Sequence, residues 1–180
     1  MTNLSTMAHS TSDRVLGLRA EPRAVQWAVV KGTQAAPILE ADGRSEAPKS
    51  FDEPAALSWM RQQVLDLVAT YAPTAVGVRF AEHFRPGGRQ SASNREADSK
   101  RSRMEGVVLE AAHSRNLPIL AGSLATISSR LHTRKAKDYI DSASVRGLDL
   151  SDVPKPRREA VLVAIAQLPE SSAETTGDVK

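Results

Sequence analysis

The order of strand-like and helix-like segments predicts an α/β fold: a mixed five-stranded sheet with helices on both faces. Three observations carry this reading. Apolar strand-type runs come first in the chain. After them, helix-period segments alternate with short apolar strands. The chain has 180 residues, of which 41% are hydrophobic, enough for one domain with a real core and polar ends.

Residues 1–13 are polar and rich in Ser and Thr, which predicts a disordered tail. Strands are predicted at 14–20 and 24–31, with a third through Pro37-Ile38-Leu39-Glu40. The segment 42–54 is polar with Gly, Pro and Ser, and reads as a loop or weak strand. Phe51-Asp52-Glu53-Pro54 starts a helix, with Asp52 as N-cap and Pro54 in the first turn, where its missing N–H costs nothing. Leu57, Met60, Val64, Leu67 and Val68 then recur at helical spacing up to Tyr71. Ala75-Val76-Gly77-Val78-Arg79-Phe80 is a short apolar strand of the kind buried in parallel sheets.

Residues 82–103 are polar, with Pro86-Gly87-Gly88, and predict a long mobile basic loop. A helix to about Ser114 follows, with Met104, Val108, Ala111 and Ala112 inward. Leu117-Pro118-Ile119-Leu120 is a strand, Ser123–Leu131 a short helix and Lys135–Val145 another. Residues 156–168 close the domain as a helix with Val161, Leu162, Ile165 and Leu168 on its apolar side. The domain is thus 14–168, and 169–180 is an acidic tail with nothing to bury.

The chain has no cysteine, which excludes disulfide scaffolds, thiolate metal sites and cysteine nucleophiles. No signal peptide or membrane-spanning run is visible, so a cytoplasmic protein is expected. The formal charge of +3 is unevenly spread. Residues 1–78 carry 7 Lys/Arg against 8 Asp/Glu, 79–137 carry 12 against 5, and 138–180 carry 5 against 8. The basic middle third fits an anionic partner or a solvated basic surface. Tryptophans 27 and 59 read as core or sheet-face residues. With 4% aromatic content, base stacking on single strands is poorly supported. Gly87-Gly88 has no Gly-Lys-Ser/Thr context and is not a phosphate loop.

Several phrases, taken in order, carry a resemblance to a known family. They are the first strand ending Gly17-Leu18-Arg19 and the second strand with Trp27-Ala28-Val29. Next come Pro73-Thr74-Ala75-Val76-Gly77-Val78-Arg79, then Arg103-Met104-Glu105-Gly106 running into Glu110-Ala111-Ala112. Leu117-Pro118-Ile119 and Arg158-Glu159-Ala160-Val161-Leu162-Val163-Ala164 complete the series. Across most of 14–168 the chain resembles RuvC-type Holliday-junction resolvases of the RNase H-like superfamily. The resemblance implies an RNase H-like sheet in which the first and fourth strands are neighbours. It also implies an active site of acidic residues holding magnesium, a nucleic-acid substrate and dimer formation, although no interface is readable here.

The residues at the implied acidic positions depart from the family. The first-strand Asp is Arg19, the fourth-strand Glu is Arg79, and the last-helix Asp is Glu159. A guanidinium has no free lone pair for a metal ion. Two-metal phosphoryl chemistry needs several carboxylates around cations about 4 Å apart, and one glutamate does not supply them. Glu21 and Glu82 are the acids placed to be displaced into such a site. No cofactor is expected, with Mg2+ required only if those acids rescue cleavage. The expected arrangement is an Arg19–Glu159–Arg79 cluster that satisfies itself, with an anion pocket as the alternative.

Two basic clusters are candidate nucleic-acid contacts. One holds Arg85, Arg89, Arg95, Lys100, Arg101 and Arg103, the other Arg130, Arg134, Lys135 and Lys137. The leading expectation is a catalytically inactive RuvC-like protein that binds nucleic acid or acts as a scaffold. The alternatives are a metal-dependent structure-specific endonuclease using displaced acids, and a protein–protein interaction subunit with no nucleic-acid role.

Overall fold

A computed structural model describes residues 13–82 and 91–170. Seven strands and five helices lie among them. They are β1 (Arg14–Ala20), β2 (Ala24–Gly32), β3 (Pro37–Glu46), α1 (Glu53–Tyr71), β4 (Ala75–Arg79) and α2 (Ala92–His113). Then come β5 (Ile119–Gly122), α3 (Leu124–Arg130), α4 (Ala136–Ser142), β6 (Ser144–Val145), β7 (Leu148–Asp149) and α5 (Lys155–Gln167). The main sheet has the order β3-β2-β1-β4-β5. β1 is antiparallel to β2 and parallel to β4, so the sheet is mixed. β1 and β4 are neighbours, as the resemblance implies.

Each face of the sheet has its own core. Leu16, Leu18, Val76 and Val78 pack with Met60 and Val64 of α1 and with Met104, Val108, Ala111 and Ala112 of α2. Val15, Ala28, Val30 and Ala75 pack with α5 and with Ile127, Leu131 and Ile140 of the α3–α4 segment. The buried residues of α2 are the four that its periodicity picks out and, beside them, Glu105.

Three segments differ from the sequence reading. β3 runs on through the polar 41–46 because β2 supplies its ladder, with Ala28 opposite Asp42 and Gln26 opposite Arg44. Polar side chains are tolerated at a sheet edge, and Gly43 leaves room for the Trp27 indole, whose Cζ2 would lie 2.4 Å from an added Cβ.

Second, α2 begins at Ala92, so the loop predicted over 82–103 is helical from 92 onward. Ser91 caps it by accepting from Asn94 N–H at 3.3 Å, and Glu96–Lys100 (2.7 Å) and Asp98–Arg101 (3.1 Å) brace its polar turns. Such pairs at i,i+3 and i,i+4 sustain a helix that composition alone reads as loop. The rest of the predicted loop, 83–90, lies outside the described residues, as do the two predicted tails, apart from Asp13, Pro169 and Glu170.

Third, the helix predicted to reach Val145 stops at Ser142. Ala143 is left-handed (φ 54°), and β6 and β7 then form a hairpin through Arg146 and Gly147, both at positive φ. That is the backbone a two-residue primed turn needs.

α5 approaches the sheet at two glycines. Gly17 and Gly77 are paired across β1 and β4. A Cβ on Gly17 would lie 1.9 Å from the Ala160 carbonyl oxygen, and one on Gly77 2.6 Å from that of Val163. The other end of α5 is held by the buried Gln34, which donates to the carbonyls of Ala166 (3.3 Å) and Leu168 (3.1 Å).

This contact predicts that Gly17→Ala destabilises the protein by about 1–3 kcal/mol or more, as overpacking does. Gly106 of α2 has nothing within 4 Å of an added Cβ. Gly106→Ala is expected to stabilise by about 0.5–1 kcal/mol through helix propensity. Urea midpoints of the two variants check both.

Candidate functional site

Side chains alternate along a strand. On β1 the α5 side takes Val15, Gly17 and then Arg19; on β4 it takes Ala75, Gly77 and then Arg79. Arg19 and Arg79 are register partners at the C-terminal ends of these strands. On α5, Glu159 lies one turn before Val163, the residue against Gly77, so it shares the sheet-facing side. Strand parity and helix period thus bring the three residues together.

Glu159 Oε2 lies 3.2 Å from Arg19 Nε and 3.0 Å from Arg79 Nε. Both approaches are ion pairs, and Arg79 Nε has no aligned hydrogen bond in spite of its short distance. Arg79 is 5% exposed, and its Nη1 has no hydrogen-bond partner among the described residues. Burial pushes the Arg79 guanidinium down from the usual arginine range, while Glu159 and then Glu82 pull it up. The cluster expected to satisfy itself therefore forms but leaves donors over. Carboxylates occupy one edge of the buried guanidinium and not the other.

The two candidate displaced acids are both engaged. Glu21 takes Arg19 Nη1 at 3.1 Å, Gln26 Nε2 at 3.3 Å and Arg44 Nε at 3.3 Å. Arg157 continues the band, bonding Gln26 Oε1 (3.3 Å) and Asp42 (2.7 Å). Glu82 takes Arg79 Nη2 at 3.2 Å and the Leu124 N–H at the start of α3 at 3.0 Å. Glu105 is a buried acid to which the sequence alone assigns no role. It accepts the Ala81 N–H at 2.8 Å and pins the chain as it leaves β4. Its one visible signal was an acid at an inward helical position beside Met104.

The donor set does not fit a magnesium site. Two of the three positions present guanidiniums, the remaining carboxylate is shared between them, and Glu21 and Glu82 already serve other donors. Among the described residues, no three His, Cys, Asp or Glu side chains are placed to hold a metal ion. An open pocket of about 250 Å³ lies beside the cluster, lined by Arg19, Ala20, Arg79, Ala81, Glu82, Arg101 and Glu159.

The described members of the first basic cluster do not form one patch. Arg85 and Arg89 lie outside the described residues. Arg95, Lys100, Arg101 and Arg103 are all on α2, where 100° per residue spreads them around the helix. Arg101 reaches the pocket, whereas Arg103 pairs with Glu53 and Lys100 with Glu96. In the second cluster Arg130, Arg134, Lys135 and Lys137 are all exposed around the α3–α4 turn. Lys137 lies 3.9 Å from Asp141. α3 starts at the site end of β5, and seven residues at 1.5 Å rise put Arg130 about 10 Å along.

No family model matches the chain, and no curated protein matches it. Solved structures do. Thermus thermophilus RuvC in complex with a Holliday-junction substrate superposes with a TM-score of 0.65 at 18% identity, covering 86% of this chain and 91% of that one. T. thermophilus RuvC without that description gives 0.65 at 20% identity, covering 85% and 92%. The yeast mitochondrial Holliday-junction resolvase Ydc2 gives 0.54 at 13% identity, covering 86% and 78%. The chain therefore has the RuvC-like RNase H fold. Among the described residues no helix is long and apolar enough to cross a membrane.

Removing Glu159 strands a buried cation, so Glu159→Ala is expected to lower stability toward the low end of the ~3–5 kcal/mol for breaking a buried pair. Arg19→Ala made on top of it should cost less than in the parent by at least about 0.5 kcal/mol. Denaturant titration of the double-mutant cycle checks this, and strict additivity would contradict the contact.

Proposed function

We propose that this chain is a nucleic-acid-binding or scaffolding protein of RuvC-like fold that does not use metal-dependent cleavage. One observation carries the reading: the two strand ends at the centre of the sheet present Arg19 and Arg79 to Glu159. An acidic centre attracts divalent cations and repels phosphates until they are bound. A centre with buried arginine does the reverse, attracting phosphate oxygens directly. The fold likeness to a resolvase described in complex with a Holliday junction supports nucleic acid as the partner. The exposed cations around the α3–α4 turn extend the positive surface from the site end of the sheet.

Binding of this kind is read through phosphates and shows little dependence on sequence. Side chains that place a phosphate need no catalytic group beside it, and none is assigned here. The endonuclease alternative requires Glu21 or Glu82 to leave the partners that now hold them.

Purified protein with magnesium or manganese is expected to leave branched and linear DNA and RNA uncut. Cleavage that vanishes in Glu159→Gln or Glu21→Gln would make it an enzyme. Binding to a DNA duplex is expected to weaken steeply with salt. Replacing Arg130, Arg134 and Lys135 by Ala should make the log–log salt slope shallower by up to about 0.9 per lost contact. Absence of DNA and RNA binding at low salt would overturn the reading and leave the basic surface as a dock for an acidic protein.

A further inference from the structure

We infer that the pocket between Arg19, Arg79 and Arg101 is a seat for one phosphodiester group of a nucleic-acid backbone. The inference rests on the proposed nucleic-acid-binding role and assigns it a specific site. The first support is an orphaned donor. Arg79 is about nineteen-twentieths buried, yet its Nη1 has no hydrogen-bond partner among the described residues, and it lines the pocket. Buried polar groups are normally partnered, and a charged one left over is costly. Arg101 Nε, from α2, is buried and without a hydrogen-bond partner in the same way, although Arg101 Nη1 is held by Asp98 at 3.1 Å. Two unrelated elements thus bring arginines with unspent N–H donors to one cavity.

The second support is charge. Among the described residues three guanidiniums and two carboxylates line the pocket, leaving one positive charge. A phosphodiester carries one negative charge and neutralises it, whereas a terminal phosphate overshoots.

The third is composition. Among the described residues the remaining lining is Ala20 and Ala81, which offers a base no ring to stack on and no apolar wall. At about 250 Å³ the space is several times the ~30 Å³ share of a water molecule, which accommodates a phosphate with its ester oxygens. Glu159 and Glu82 pair with Arg79 at Nε and Nη2 and leave Nη1 without a partner among the described residues.

The test follows the arginine Nε–H signals of the full chain by nitrogen–proton NMR. Dimethyl phosphate is added first, then methyl phosphate, then a short DNA duplex. Saturable shifts of the Arg79 and Arg101 signals are expected with dimethyl phosphate and with DNA, with methyl phosphate no tighter. In a parallel binding assay, Arg101→Gln should weaken DNA binding roughly tenfold, the scale of one charge-assisted hydrogen bond. Arg61→Gln removes the same charge from the α1 surface, where it pairs with Glu110, and should change affinity by less than about twofold. Arg101 is partly exposed, so its loss does not threaten the fold as loss of Arg79 does. If DNA binds while both signals stay still, or if the two Gln variants weaken binding equally, the pocket proposal fails and the binding role stands. Tighter capture of methyl phosphate overturns the phosphodiester assignment. If DNA does not bind at all, the proposed function itself fails.

Discussion

The rest of the site depends on how closely α5 lies on β1 and β4. Gly17 and Gly77 allow the Ala160 and Val163 carbonyls to come within a distance no side chain tolerates. That contact fixes the axial position of α5. With the axis fixed, Glu159 falls between the ends of two strands and meets Arg19 and Arg79 together. A sheet with Ala at either glycine has to lift the helix, and the carboxylate then lifts with it. Gln34, at the far end of α5, works in the same sense by holding the last carbonyls.

Electrostatics explains why the cluster is so heavily buttressed. A buried guanidinium loses water and needs compensation. Compensation comes from three elements: Glu159 of α5, Glu82 past β4 and, across the β1–β2 turn, Glu21 acting on Arg19. Gln26, Arg44, Arg157 and Asp42 extend the band across the end of the sheet. The band is polar and crowded, but it does not close: Arg79 Nη1 and Arg101 Nε are left without hydrogen-bond partners in it.

Much of this was legible in the chain, for identifiable reasons. Alternation from Gly17 to Arg19 and from Gly77 to Arg79 puts both arginines on one face once the strands are recognised, and helical period adds Glu159. The mixed sheet follows from three leading strands. What was hidden depended on partners distant in sequence. The polar stretch 41–46 is a strand because β2 pairs with it. The Ser91 cap and the Glu96–Lys100 pair are local, but against a Ser- and Arg-rich background they carry little periodic apolar signal, so the part of α2 before Met104 read as loop. The role of Arg101 was concealed by its neighbours. In sequence it is one basic residue among several, and only helix rotation separates it from Arg103 and Lys100.

The central claim is the proposal that the arginine-lined centre at the ends of β1 and β4 prefers anions to metal ions. Manganese binding measured by electron paramagnetic resonance tests it most directly. Adding the full chain to dilute Mn2+ is predicted to leave the free-ion signal unchanged, in Glu159→Gln as in the parent protein. Stoichiometric loss of that signal in the parent, restored by Glu159→Gln, would contradict the account and return the centre to metal chemistry.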